Sequence, residues 1–268
     1  MKNRIKLLTL FFAALLISSC SSQNNSEFKL INSPEKFGFD SKVFSELIND
    51  VKVKDINLNS LYIERNNRLV LDANFYPQKA NDLHDVASIS KSITSLLIGI
   101  AIDEGYIKSV HQSVMNFFPE KKEIFNTKLK RELTIEQLLT MTSSICSSFN
   151  QGEDFREALK TNENPLEFII SNISNKNSQF TYCSPGVQLL SIIISKKTGK
   201  TLEQYTKSKL FNPLGIKYSK FAKDKSGYTN ASGDIFLKAS DLAKIGQLIL
   251  NNGVWNKNQN HVEASRVI

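Results

Sequence analysis

The stretch Val86-Ala-Ser-Ile-Ser-Lys-Ser-Ile-Thr-Ser-Leu-Leu-Ile-Gly-Ile-Ala-Ile-Asp-Glu-Gly105 leaves the chain few ways to fold. Ile89, Ile93, Leu96, Leu97, Ile100 and Ala101 recur with the 3.6-residue period of a helix. Ile98 and Ile102 add apolar surface beyond that stripe, so the rest of the protein is expected to enclose the helix on most sides. Gly105 suits the left-handed turn that closes a helix. Ser88 and Lys91 stand three apart at its mouth, on one face. A lysine there is costly unless it has a partner or a task. The pair reads as a nucleophile, Ser88, with Lys91 placed to help remove its proton. The same Ser-x-x-Lys spacing occurs at Ser26/Lys29 and Ser33/Lys36, in polar sequence. Only at Ser88 does it open an apolar helix, whose partial positive charge favours a developing alkoxide. The competing reading is structural, with Ser88 capping the helix and Lys91 reaching out to water.

The N-terminus belongs to another process. Lys2, Arg4 and Lys6 precede the apolar run Leu7–Ile17, then Ser18, Ser19 and Cys20, which reads as a secretory signal over residues 1–19. The run is too short to span a bilayer comfortably. Leu16-Ile-Ser-Ser-Cys20 resembles a bacterial lipobox. That resemblance implies a lipid on Cys20, attachment to a membrane, and a place in the bacterial cell envelope facing the periplasm or the exterior. Removing the three cations of the leader takes the formal charge from +8 to +5. The remaining lysines are scattered, so a nucleic-acid partner is not expected. Cys146 and Cys183 are then the only other cysteines. Export permits a disulfide between them, but two cysteines make no framework, and free thiols are expected.

Residues 20–36 are polar and read as a flexible tether from Cys20, leaving 37–268 as the folded domain. Asp40 is placed to cap a helix carrying Val43, Phe44, Leu47, Ile48 and Val51. Ser60–Arg65 and Arg68–Phe75 flank Asn66-Asn67, a hairpin signal. From Tyr106 to about Lys225 the pattern is mostly helical. Thr134 and Gln137 form a capping box, Pro165 suits a first helical position, and Ser184 is expected to cap a helix running to Gly199. Asp234–Lys238 reads as a strand, and Ser240–Gly253 as a helix capped by Ser240.

A serine nucleophile needs a second proton carrier. The histidines are His84, His111 and His261, and no G-x-S-x-G elbow surrounds Ser88. Neither H-E-x-x-H nor paired C-x-x-C is present, so chemistry without a metal or cofactor is expected. Four ordered stretches carry a family likeness: Ala87–Gly105, Leu133–Ser143, Phe180–Gly199 and Ser240–Gly253. Together they resemble the β-lactamase-related serine hydrolases. These are the class C β-lactamases, their penicillin-binding-protein-like relatives, and the esterases, carboxypeptidases and 6-aminohexanoate-dimer hydrolases.

The resemblance implies an α/β fold of the β-lactamase/transpeptidase type. An antiparallel sheet flanked by helices would sit beside a mostly helical subdomain. It also implies an acyl-enzyme on Ser88, formed from an amide, peptide, lactam or ester, so the partner is a small-molecule or peptide-like substrate. The family sets a Tyr-x-Asn element opposite the serine, with the tyrosine as proton shuttle. Tyr228-Thr-Asn230 matches by letter, but Tyr182-Cys-Ser184 stands at the family's position before a capped helix and is the choice here. Ser184, the candidate substrate contact, replaces the family's asparagine. The family's third element is a Lys-Thr-Gly-like or His-x-Gly-like strand that supplies an oxyanion donor, and none follows Gly253. The last sheet strands and C-terminal helix are therefore expected to be missing. Two readings result: a lipid-anchored serine hydrolase, or a truncated, non-catalytic penicillin-binding-like lipoprotein.

Overall fold

The computed structural model describes residues 27–30, 33–148, 153–173, 179–257 and 260–263. The leader and Cys20 lie outside the described residues. The chain opens with β1 (Glu27–Leu30) and α1 (Ser41–Val53), followed by β2 (Ser60–Arg65), β3 (Arg68–Asn74) and β4 (His84–Asp85). α2 (Ile89–Asp103), α3 (Lys128–Glu132), α4 (Ile135–Leu139), α5 (Glu153–Thr161), α6 (Pro165–Ser171), α7 (Ser184–Thr198) and α8 (Leu202–Thr206) form the helical part. β5 (Lys220–Phe221), β6 (Ile235–Leu237), α9 (Ala239–Leu250), β7 (Val254–Lys257) and β8 (Asn260–Glu263) follow.

The expected hairpin forms from β2 and β3, antiparallel. Its turn places both Asn66 (φ 52°) and Asn67 (φ 59°) in the left-handed region, the geometry that matches the twist of a two-residue hairpin. β3 is the middle strand of the order β1-β3-β2, with Val70, Leu71 and Ala73 fully buried. β1 pairs with it from Glu27 opposite Asn74 to Leu30 opposite Leu71. Residues 27–30, expected within a flexible tether, thus form a strand. Glu27-Phe-Lys-Leu30 alternates charged and apolar residues with the period of a strand, a signal only four residues long amid polar sequence, and pairing with the hairpin edge orders it. α1 closes this part, capped by Asp40, whose side chain accepts from the Lys42 N–H. Phe44 and Val51 join β3 in a small core of their own.

The second, larger core surrounds α2 and α7, which pack on each other. Ile93, Leu97 and Ile98 are fully buried, and Gly105 (φ 77°) takes the left-handed turn after the helix. Ile89 departs from its expected place in the core and is 44% exposed, because the first turn of α2 opens onto the surface. α7 is apolar and buried around most of its girth from Val187 to Ile194. Its N-cap is Cys183 rather than the expected Ser184, which is the first helical residue, and no side chain caps it. α9 likewise begins one residue before the expected cap Ser240, after Lys238. A second antiparallel sheet has the order β4-β6-β5, and Asp85, just before α2, pairs in it with Phe236.

α4 shows the expected capping box in full. Thr134 accepts from the Gln137 N–H, and the Gln137 side chain accepts from the Thr134 N–H. With only five residues, α4 depends on that cap. Thr134→Ala is expected to lower unfolding free energy by about 1 kcal/mol, measured as a shift of the urea midpoint at constant slope.

Candidate active site

Ser88 is the N-cap of α2, yet its hydroxyl caps nothing. The preceding Ala87 lies at φ 44°, a conformation that costs an alanine about 1–3 kcal/mol. Two bonds hold it there. Its N–H donates to Asp85 Oδ1 at 2.8 Å, and its carbonyl accepts from Ser90 Oγ at 2.6 Å. The bend directs Ser88 toward the loops that cover the first turn of α2. No backbone carbonyl among the described residues takes the Ser88 N–H.

Lys91 does not reach for water. Its Nζ donates to Ser88 Oγ at 3.1 Å and to the Ser232 carbonyl at 2.5 Å. Nζ also lies 5.0 Å from the Tyr182 ring centroid, which places the phenol beside both Lys91 and Ser88. Two of the three ammonium N–H groups thus have oxygen acceptors, and the Tyr182 ring lies beside the charge. Burial acts to raise the Tyr182 phenol, but the bonds from Ser88 and Lys91 and the lysine's charge outweigh it, and the group titrates below its usual value. A phenol so placed can hold a negative charge and accept the Ser88 proton.

The structure therefore brings Ser88, Lys91 and Tyr182 together. Tyr228 stands elsewhere, its ring partly buried against the larger core and its N–H bonded to Asp224 Oδ1. Burial, then the Asp224 charge, push its phenol upward instead. Ser184 follows the site at the start of α7, and its hydroxyl has no hydrogen-bond partner among the described residues. His84 bonds Ser60 at 3.1 Å and His111 pairs with Glu136 at 3.1 Å; neither bonds Ser88.

The expectation of free thiols is overturned. Cys146 and Cys183 form a disulfide, with their Cα atoms 5.5 Å apart. Sequence could not reveal it, since the two lie 37 residues apart and only the packing of α7 against the segment at Ser144–Ser148 joins them. Cys183 adjoins Tyr182, and the segment is fixed twice more: Thr181 N–H donates to the Met141 carbonyl at 2.9 Å, and Cys183 N–H to Met141 Sδ at 3.4 Å. The Ser232 carbonyl was equally invisible, because a backbone acceptor leaves no mark on residue type.

A family model described as Beta-lactamase matches residues 59–265. The 6-aminohexanoate-dimer hydrolase of Paenarthrobacter ureafaciens is 26% identical over 190 residues, covering 65% of this chain and 47% of that protein. Beta-lactamase-like protein 2 of Dictyostelium discoideum is 30% identical over 165 residues, covering 58% of this chain and 29% of that protein. The chain thus spans less than half the length of these curated relatives. Among solved structures, an octameric penicillin-binding protein homologue from Pyrococcus abyssi superposes with a TM-score of 0.64 at 23% identity, covering 85% of this chain and 58% of that one. A class C beta lactamase from Rhodobacter sphaeroides gives 0.62 at 15% identity, covering 84% and 68%. These likenesses carry the β-lactamase/transpeptidase-like fold, and with most of its length matched by the family model the chain belongs to the Beta-lactamase family of serine-hydrolase-type proteins.

Proposed function

We propose that this protein is a lipid-anchored serine hydrolase that cleaves an amide, peptide, lactam or ester bond through an acyl-enzyme on Ser88. The observation that carries the reading is the cluster itself: Lys91 Nζ donates to Ser88 Oγ at 3.1 Å and lies 5.0 Å from the Tyr182 ring centroid. Ser88 Oγ attacks the carbonyl carbon while its proton passes to the Tyr182 oxygen. The carbonyl C–O π bond opens to an oxyanion, toward which the Ser88 N–H can donate. As the oxyanion re-forms the carbonyl, the bond to the leaving group breaks and Tyr182 returns the proton to that group. Water then attacks the acyl carbon, giving its proton to Tyr182, and the acid departs as Ser88 regains a proton. Lys91 stays charged and stabilises the phenolate between steps. Ser184, at the start of α7 with its hydroxyl unengaged, is the proposed substrate contact.

Amide hydrolysis gains support from the likeness to the 6-aminohexanoate-dimer hydrolase. Export gains support from the Cys146–Cys183 disulfide, which fits an oxidising compartment. Lipidation of Cys20 and residence in the bacterial cell envelope rest on the leader and lipobox.

A fluorophosphonate probe tests the reading. The expected result is one adduct per chain, mapped to the peptide carrying Ser88 and absent from Ser88→Ala. An adduct elsewhere, or equal labelling of Ser88→Ala, would sink it. An adduct at Ser88 with no turnover of any amide, lactam or ester offered would favour the non-catalytic penicillin-binding-like reading.

A further inference from the structure

The segment Tyr228–Asp234, whose tyrosine takes no part in the site, lies over the first turn of α2. Its backbone is held at several points. The Thr229 carbonyl accepts from Gln188 Nε2 at 3.3 Å and Ser191 Oγ at 2.8 Å. Asn230 N–H donates to the Ala222 carbonyl at 2.9 Å. Ala231 N–H donates to Gln188 Oε1 at 3.0 Å, and the Ala231 carbonyl accepts from Thr94 Oγ1 at 3.2 Å. The last group in the run, the Ser232 carbonyl, takes Lys91 Nζ.

Asn230 sets the direction of that carbonyl. Its Oδ1 accepts from Ser232 N–H at 3.0 Å and from Ser232 Oγ at 2.9 Å, closing a tight turn around the residue. Its Nδ2 donates to Asp234 Oδ2 at 2.6 Å, so the amide itself is held in one orientation. Asn230 is buried, and Asp234 sits in the left-handed region at φ 56°. Rotation of the Ser232 peptide would leave Lys91 with one acceptor fewer and free its flexible stem to swing.

We propose that Asn230 is a positioning residue for Lys91: by clamping Ser232 it presents a backbone carbonyl that fixes the ammonium between Ser88 and Tyr182. The inference rests on the reading of Ser88, Lys91 and Tyr182 as the reacting trio, but its geometry can be tested without turnover.

The Asn230–Asp234 pair allows an exchange experiment. Asn230→Asp keeps the acceptor for Ser232 but sets two carboxylates against each other. Adding Asp234→Asn restores one donor and one acceptor with the roles reversed, and asparagine tolerates the left-handed backbone there. Asn230→Asp is expected to slow fluorophosphonate labelling of Ser88 about tenfold at saturating probe, with little change in the concentration for half-saturation. The double variant should recover to within about threefold of wild type. In parallel, the Tyr182 phenolate absorbance, isolated by subtracting the matching Tyr182→Phe protein, should move to higher pH in Asn230→Asp and return in the double variant.

Circular dichroism melts check folding. Should Asn230→Asp fail to fold, Asn230→Ser removes the Asp234 bond without adding charge and should move both readouts the same way. Wild-type Tyr182 titration in the single variant, or no recovery in the exchange, overturns the inference. If wild-type Ser88 is not labelled at all, the proposed function fails, while the Tyr182 titration still decides the role of Asn230.

Discussion

Replacing Lys91 with methionine is expected to slow acylation of Ser88 by about 10²–10³-fold, the range for losing a preorganised donor that stabilises charge at the reacting centre. Methionine keeps much of the stem volume and removes the charge and its donors. Two consequences separate loss of chemistry from mere disturbance. The bond and charge of Lys91 both hold the Tyr182 phenol down, and without them burial, which raises it, gains weight against the Ser88 bond alone. Tyr182 then needs a higher pH to act as base, so the remaining activity should shift toward the alkaline side. Tyr182→Phe should lose that alkaline limb altogether. A Lys91→Met protein that labels at the wild-type rate, or whose pH profile does not move, would remove Lys91 from the proposed mechanism. Stopped-flow measurement of probe addition across pH provides both numbers.

Breaking the Cys146–Cys183 bond is expected to lower stability by about 4 kcal/mol, the chain-entropy value for a loop of this length. The bond closes 37 residues of separation that include α5 and α6. Both cysteines are buried, so the Cys146→Ala/Cys183→Ala double variant tests this without burying new hydroxyls. Guanidinium unfolding of oxidised wild type, reduced wild type and the variant should place the last two together and well below the first. Acylation should also slow, because Tyr182 immediately precedes Cys183 and its segment would lose the covalent restraint that supplements the Met141 contacts. Unchanged unfolding midpoints after reduction would show that the disulfide does not constrain the unfolded chain as supposed. Unchanged acylation in a folded variant would show that Met141 and α7 suffice to place the tyrosine.

Local patterns in the sequence were enough to place the secondary structure that carries the site. The period of α2, the hairpin at Asn66-Asn67, the Thr134 capping box and the strand at Ile235–Leu237 each arise from residues that are neighbours in the chain, so propensity and periodicity report them. Ser88 and Lys91 were legible for the same reason, since three residues on a helix make a face. Tyr182 was not legible from spacing. It came from likeness to a family and from its place before a proline-led helix, and packing of α7 on α2 accounts for its meeting Lys91.

What the tertiary structure decided is of another kind. Strand β1 exists because a hairpin edge was there to pair with it, its four alternating residues being too few to announce a strand on their own. The disulfide exists because the helical part folds Cys146 onto the start of α7. The second acceptor of Lys91 is a peptide carbonyl, and every residue has one. What singles out Ser232, 141 positions along the chain from Lys91, is the turn held by Asn230 and Gln188. By itself, the sequence determined helix α2 and the face on which Ser88 and Lys91 stand. The fold determined which backbone groups and which distant cysteines hold those side chains in register, because such contacts depend on the path of the chain and not on the identity of its neighbours.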